Sequence, residues 1–230
     1  MILTADELKW IDMRMEIYDI KYQEIYDEIL DHIITAIEEK RKGGDQQDIK
    51  WLFQEVVDQH FKGFFGVENL AKEQEDIYKR GIKKLWIQNF KHLLNWPMLA
   101  FIVIALLLSF ELPDVKMVQI SLMIGCLLLA FSPVIATYFL LAGKFKTLKG
   151  KKSILKTQIV TRAAMPASLL NAIIYLPQLF VLWNEKADNW SIFKHIPPPV
   201  AMALVLFFMV LNLTVIRFCR QAMSSKVLAS

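Results

Sequence analysis

Cysteine, histidine and recognisable catalytic motifs are scarce in this 230-residue chain. The two cysteines, Cys126 and Cys219, occur within or at the end of apolar stretches, so we expect packing roles and no disulfide framework. All four histidines lie outside those stretches, and neither a glycine-rich phosphate loop nor a metalloprotease helix motif is present. We therefore expect no enzymatic activity, no catalytic residue and no cofactor.

Charge is missing from three long stretches: 117–143, 163–183 and 199–216. An uncharged apolar run of about 18 residues or more predicts a membrane span, because lipid does not solvate ions. A shorter run, 95–110, is extended by flanking leucines, and we accept it as a fourth span. An ion-coupled pump is not expected, since such proteins normally carry charges inside the membrane. The predicted spans are 95–112, 117–142, 159–183 and 199–217.

The lysines predict the orientation of these spans. The loop between the second and third spans is basic and has no acid, and the approach to the first span and the C-terminal tail are also basic. Cytoplasmic loops carry the excess of Lys and Arg, so both termini are expected inside. The first 90 residues are charged and amphipathic, so we expect no signal peptide among them. The loop lysines either only set this topology or also bind anionic lipid headgroups; they are Lys144, Lys146, Lys149, Lys151 and Lys152.

The region before the spans predicts a small helical domain, 1–66, and an amphipathic juxtamembrane helix, 67–94, ahead of the membrane domain, 95–230. Thr4 and Glu7 form a capping-box pattern at the start of the first helix. A second helix, with isoleucines at helical spacing, should end at the Gly43-Gly44 pair. Asp45 is expected to cap the third helix, and a fourth should begin near Val67. The predicted fold class is all-α, a four-helix transmembrane bundle preceded by a small cytoplasmic helical domain.

Acidic residues dominate the first 60 positions, with fifteen Asp and Glu against seven Lys and Arg, a net charge of −8. Such a surface disfavours direct contact with nucleic acid, which requires a basic footprint. It suits a basic protein partner, although a solvated acidic face that aids solubility is an alternative explanation.

The densest group of titratable residues lies in the segment EIYDEILDHI, and consists of Glu24, Asp27, Glu28, Asp31 and His32. A metal site would need a further ligand from another helix, for which His60 is the obvious donor. The spacing does not match a known bundle site, because Glu28 and His32 are four residues apart whereas the di-iron motif requires three. We therefore expect no metal here, and either a partner-binding surface or, for Asp31 and His32, internal hydrogen bonding.

Uncharged polar residues within the predicted spans offer a second candidate site, formed by Asn171, Tyr175, Gln178 and Asn212. The first three recur along one face of the third span, where prolines 166 and 177 can open the backbone. They either line a polar path or make hydrogen bonds between helices.

The stretch from Leu8 through IKYQEIYDEILDHIITAIEEK to the Gly43-Gly44 turn resembles the HAAS-type helical domain of bacterial membrane proteins. That domain has a helix, a tyrosine-bearing turn, and a second helix reading E-x-x-D-E-x-x-D-H followed by I-E-E. The matching positions are Glu24, Asp27, Glu28, Asp31, His32, Ile37, Glu38 and Glu39. The resemblance covers about residues 5–66. It implies a cytoplasmic domain ahead of several spans in the bacterial inner membrane, and an association with PadR-type transcription regulators.

These observations lead to one main hypothesis and one alternative. The main hypothesis is a non-enzymatic membrane signalling or regulatory protein whose cytoplasmic helical domain docks a cytosolic protein. The alternative is a small transporter or permease-associated subunit with a polar path along the third span. The expected partners are membrane lipid and a cytosolic protein, without direct contact to nucleic acid, and a homo-oligomer is left open.

Overall fold

A computed structural model describes residues 3–142, 145, 147–182 and 196–224, with side chains as far as Tyr175 in the segment that ends at 182. The described residues form helices and no strand. The helices are α1 Ala5–Met15, α2 Gln23–Lys42, α3 Ile49–Phe61, α4 Phe64–Leu93, α5 Trp96–Ser109, α6 Lys116–Leu141, α7 Ile154–Leu182 and α8 Pro198–Ser224. The all-helical prediction is confirmed.

Two compact units divide the chain. The first consists of Met1–Gly81 and Phe145–Thr157, and the second of Ile82–Lys144 and Gln158–Ser230. The domains predicted from the sequence, 1–66, 67–94 and 95–230, stay a prediction. The first compact unit combines residues from all three, because it includes more than half of α4 and a segment from the middle of the chain.

Local signals determine the beginning of the first unit. Thr4 and Glu7 make the predicted capping box: the Glu7 backbone N–H donates to Thr4 Oγ1 (3.2 Å), and the Thr4 backbone N–H donates to the Glu7 carboxylate (2.8 Å). Isoleucines at helical spacing on α2 are buried, because they form the single apolar stripe of that helix. Gly43 ends α2, and Gly44 follows with a φ of +92°, a conformation that glycine adopts without strain.

Two boundaries differ from the prediction. Asp48, rather than Asp45, caps α3 by accepting a hydrogen bond from the Lys50 backbone N–H (2.8 Å), while Asp45 accepts one from the Gln47 N–H and forms a tight turn. α4 begins at Phe64, because the turn is already completed by Lys62 and Gly63, which both have positive φ. The predicted start near Val67 was therefore wrong by about one helical turn.

The core of the first unit lies between α1, α2, α3 and the start of α4. Its buried side chains include Ile11, Ile29, Phe53 and Val67. Ile154, from the segment after α6, also belongs to this core and is fully buried. A residue more than 110 positions beyond the end of α2 thus completes the hydrophobic core of the N-terminal helices.

In the second unit, the end of α4 packs on α8. The Trp86 and Phe218 rings meet edge to face at 5.6 Å, and Asn89 Nδ2 donates to Gln221 Oε1 (2.8 Å). A separate apolar cluster joins α6, α7 and α8 through Cys126, Leu170 and Phe208. Both cysteines are buried and free, in agreement with the expected packing role.

Two helices, α6 and α8, are long and apolar enough to cross a membrane. The consecutive helices α4 and α5 are long and apolar enough only when taken together, and a bend of 62° separates them. They would make a third span if they cross the membrane as one. The predicted third span, 159–183, lies on α7 and continues beyond the last described side chain of that segment. The structure therefore has two or three candidate spans among its described residues, against four predicted.

Candidate functional site

Glu24, in the first turn of α2, holds the segment that precedes α7. Its carboxylate accepts a hydrogen bond from Ser153 Oγ and another from the Ile154 backbone N–H (3.0 Å). Ser153 Oγ in turn accepts from the Lys156 backbone N–H (3.1 Å), as a helix cap does. A carboxylate at this position also stabilises the positive end of the helix dipole of α7. Glu24 therefore stabilises the start of α7 from a separate helix.

A short backbone pairing strengthens this attachment. The Gln23 N–H donates to the Lys152 carbonyl (2.9 Å), and the Lys152 N–H donates to the Lys21 carbonyl (3.0 Å), so Tyr22 and Lys152 form an isolated parallel bridge. The Gln23 side chain also accepts from the Leu148 N–H (3.0 Å). Backbone groups of both segments thus satisfy one another. We call residues 147–154, which make these contacts, the docked loop.

Lys151 provides the main charged contact of the docked loop. Its ammonium lies 4.0 Å from the centre of the Tyr26 ring, and Nζ donates to the Ile20 carbonyl (3.1 Å). Burial lowers the pKa of Lys151, and the nearby acids, Glu16 foremost, oppose that shift. Burial also raises the pKa of Tyr26, with a further contribution from its hydrogen bond to Asp12 (2.7 Å), so this phenol stays neutral and donates.

The remaining members of the predicted partner-binding group differ in their surroundings. Glu28 accepts a hydrogen bond from the Tyr78 hydroxyl (3.4 Å), and exposed Asp27 accepts one from Gln23 Nε2 (2.6 Å). Asp31 and His32 are exposed, and no hydrogen bond from the described residues reaches either side chain. The internal hydrogen bonding considered for Asp31 and His32 is not observed. The structure thus separates the group into Glu24, which holds the docked loop, half-buried Glu28, which contacts α4, and three exposed residues, Asp27, Asp31 and His32.

The loop lysines also have different surroundings. Lys149 and Lys152 are exposed, whereas Lys151 is half-buried; Lys144 and Lys146 lie outside the described residues. With Lys21 from the turn before α2, three of these lysines line a cleft of about 430 Å³ beside Glu16 and Asp19. Of the three loop lysines that the structure describes, Lys149 and Lys152 have side chains accessible to a lipid headgroup or another anion.

A metal centre is not formed by the titratable residues that the structure describes, since no three His, Cys, Asp or Glu side chains are arranged to hold an ion. His60, the expected additional ligand, is exposed near the end of α3. The docked loop and its contacts on α2 are therefore the best-defined polar site of the first unit.

No family model, curated protein or solved structure matches this chain.

The polar residues predicted within the spans have different roles in the second unit. Asn212 is buried on α8, and its Nδ2 donates to the Leu129 carbonyl (3.1 Å) and to Ser132 Oγ on α6. Its amide thus makes hydrogen bonds between α8 and α6, which is one of the two roles considered for these polar residues. Asn171 and Tyr175 are exposed on α7, whereas the side chain of Gln178 lies outside the described residues. Among the described side chains, Asn212 and this pair do not converge on one path.

Sequence reasoning missed Ser153, Ile154 and Tyr26 as parts of the site. Ser153 carried a usable signal, because a serine directly before the apolar start of a helix is a common cap. Ile154 and Tyr26 carried none, because each has an ordinary helical position and only its distant partner distinguishes it. The contact depends on two segments that are about 130 residues apart.

Proposed function

We propose that this chain is a non-enzymatic signalling or regulatory protein of a bacterial inner membrane. In this proposal it has four spans, both termini in the cytoplasm, and an N-terminal helical domain that docks a cytosolic protein. The observation that carries the proposal concerns three turns of α2. Within them, Glu24 accepts hydrogen bonds from the start of α7, and Asp27, Asp31 and His32 are exposed.

The docked loop supports the proposed topology. Residues 1–81 and 145–157 belong to one compact unit, so they lie on the same side of a membrane. The chain between them must then cross the membrane an even number of times. In this proposal α6 makes one of those crossings, and α5, which is long and apolar enough only together with α4, makes the other. The lysines of this loop favour the cytoplasm for that shared side. Further crossings by α7 and α8 would return the C-terminus to the same side.

The same contacts suggest how a signal is transmitted. A protein bound to Asp27 and Asp31 lies within one or two turns of Glu24 on the same helix. Any shift of α2 caused by binding changes the hydrogen bonds that Glu24 makes to Ser153 and Ile154. Because Ile154 is the first residue of α7, that change reaches a helix that continues into the second unit. The HAAS-type resemblance proposes a PadR-type regulator as the partner, and Lys149 and Lys152 are free to bind anionic lipid.

The test is co-purification from detergent-solubilised cells that express the full chain. The paired change Asp27→Lys with Asp31→Lys reverses the exposed charge on α2, and we expect it to remove the cytosolic partner and to alter transcription controlled by that partner. Glu73→Lys with Asp76→Lys makes the same change of charge at exposed positions of α4 and is the matched control. If both pairs, or neither, lose the partner, the proposed docking surface is wrong.

The alternative of a small transporter has less support. Asn212 is already bonded to α6, and Asn171 and Tyr175 face away from the described helices of their unit. A polar path would need these groups to face a common space.

A further inference from the structure

The exposed side of α7 is polar, in contrast to the exposed middle of α6 in the same unit. Between Gln158 and Tyr175, the exposed residues other than Val160 all carry polar groups: Thr161, Ser168, Asn171 and Tyr175. On the middle of α6 the exposed residues are all apolar: Ile124, Leu127, Leu128, Phe131, Val134 and Ile135. A helix surrounded by lipid should resemble α6. The polar stripe, which we define as Ser168, Asn171 and Tyr175, is therefore not a typical lipid-facing surface.

Two members of the polar stripe have no described partner. Ser168 Oγ donates to the Ala164 carbonyl of its own helix (3.1 Å) and is satisfied. No hydrogen bond from the described residues reaches the Asn171 amide or the Tyr175 hydroxyl, and Tyr175 is 60% exposed. In hydrocarbon an unpaired amide is costly, because neither lipid tails nor water can replace its hydrogen bonds there. The Asn171 amide thus requires a polar partner from outside the described fold.

We propose that the polar stripe is covered by the same stripe of a second copy of this chain. An amide is both a donor and an acceptor, and so is a hydroxyl; two identical stripes related by a twofold axis can therefore satisfy each other. The stripe has no charged residue, so two copies do not repel. Ala164 and Ala172, half-buried beside it, are small enough for two helices to approach closely. This inference depends on the proposed position of α7 as a membrane span.

The test uses disulfide crosslinking of the full chain in its native membrane. Ser168→Cys places a probe on the polar stripe, and Leu128→Cys places a matched probe at an exposed apolar position of α6. The native Cys126 and Cys219 are buried, so the parent chain should give little background. We expect a homodimer on oxidation from the Ser168→Cys chain and little from the Leu128→Cys chain. Equal amounts of crosslinked dimer from the two chains would overturn the proposal. Crosslinking of the Ser168→Cys chain to a different protein would also overturn it.

A second pair of variants tests the hydrogen bonds themselves. Added to the Ser168→Cys chain, Asn171→Leu removes the amide, and the dimer should weaken roughly three- to tenfold, the usual effect of one or two hydrogen bonds between membrane helices. Asn171→Gln keeps the amide and should retain most of the dimer. Equal amounts of crosslinked dimer from Asn171→Leu and Asn171→Gln would refute the role of Asn171.

Labelling of Asn171→Cys with a water-soluble, membrane-impermeant maleimide separates the remaining outcomes. We expect no labelling. Labelling would mean that the polar stripe faces water, which would overturn the second-copy contact and would favour a transport path. None of these results depends on the cytosolic partner, so the failure of this inference and the failure of the docking proposal are distinguishable.

Discussion

Ile154 offers the most direct way to test whether the docked loop is held on the N-terminal helices. The side chain is fully buried in the core that α1, α2 and α3 form, although it comes from the segment after α6. Ile154→Ala shortens this side chain and keeps the backbone N–H that donates to Glu24. The change therefore tests the apolar contact separately from the hydrogen bond.

The expected magnitude follows from the atoms removed. Isoleucine has three more side-chain carbons than alanine, and each buried carbon contributes about 0.8 kcal/mol, so the loss is about 2.4 kcal/mol. A cavity that does not collapse places the cost within the usual range of about 2–5 kcal/mol. We expect α1–α3 to stay folded when the loop leaves, so that this energy appears in the equilibrium between the docked and the undocked loop. The undocked fraction should rise about 50-fold or more.

Limited trypsin digestion measures that fraction. The Lys152 backbone pairs with Lys21 and Gln23, so the loop must undock before trypsin can cleave after Lys151 or Lys152, and cleavage at these two sites is the readout. At low protease concentration the cleavage rate follows the population of the open form. In membrane vesicles with the cytoplasmic face outward, cleavage of the Ile154→Ala chain should accelerate by about the same factor as the undocked fraction.

Leu148→Ala is the matched control, because Leu148 lies in the same loop but its side chain is 49% exposed. Its cleavage rate should remain close to that of the parent chain. The reasoning is refuted if Ile154→Ala is cleaved no faster than the parent, or if Leu148→Ala accelerates cleavage equally.

Two further predictions concern the stability of the N-terminal helices. A Cβ on Gly66 would lie 1.4 Å from the Phe61 carbonyl oxygen, so Gly66→Ala should lower the melting temperature. A Cβ on Gly81 would meet nothing within 4 Å, so Gly81→Ala should raise the free energy of unfolding by about 0.5–1 kcal/mol. Thermal unfolding in detergent that gives the reverse order would contradict this. The backbone hydrogen bond from Thr4 lowers the pKa of Glu7 in the folded chain. In acid the unfolded chain therefore binds more protons than the folded chain does. The stabilisation by Glu7 is thus present at neutral pH and lost on acidification. The difference in melting temperature between the parent and Glu7→Gln should therefore shrink from neutral pH to acid; a constant difference would show that the charge of Glu7 contributes nothing.

The parts of the fold that were predicted correctly depend on interactions between near neighbours in sequence. Thr4 and Glu7 are three residues apart, and the buried isoleucines of α2 follow one helical stripe, so both were visible in the sequence. The cap of α3 was predicted wrongly as Asp45, although Asp48 is an equally suitable residue type. In the structure Asp45 instead accepts from the Gln47 N–H in the turn before α3.

The candidate site was only partly predictable, because its contacts join residues that are far apart in sequence. Glu24 was identified within an acidic group, but its role came from the Ile154 N–H, far away in the chain. Asn212 was identified as an intramembrane polar residue, and only the position of α6 showed that its amide bonds to Leu129. In both cases the residue type was visible in the sequence and the partner was not.

The sequence by itself determined where the chain is helical and where it is apolar enough for lipid, because helix signals act over one or two turns and uncharged runs act through their length. The tertiary structure alone decided that a basic loop completes an acidic domain, and that the exposed side of α7 is its polar side. Those features depend on contacts between segments far apart in sequence, and such contacts exist only once the helices have packed.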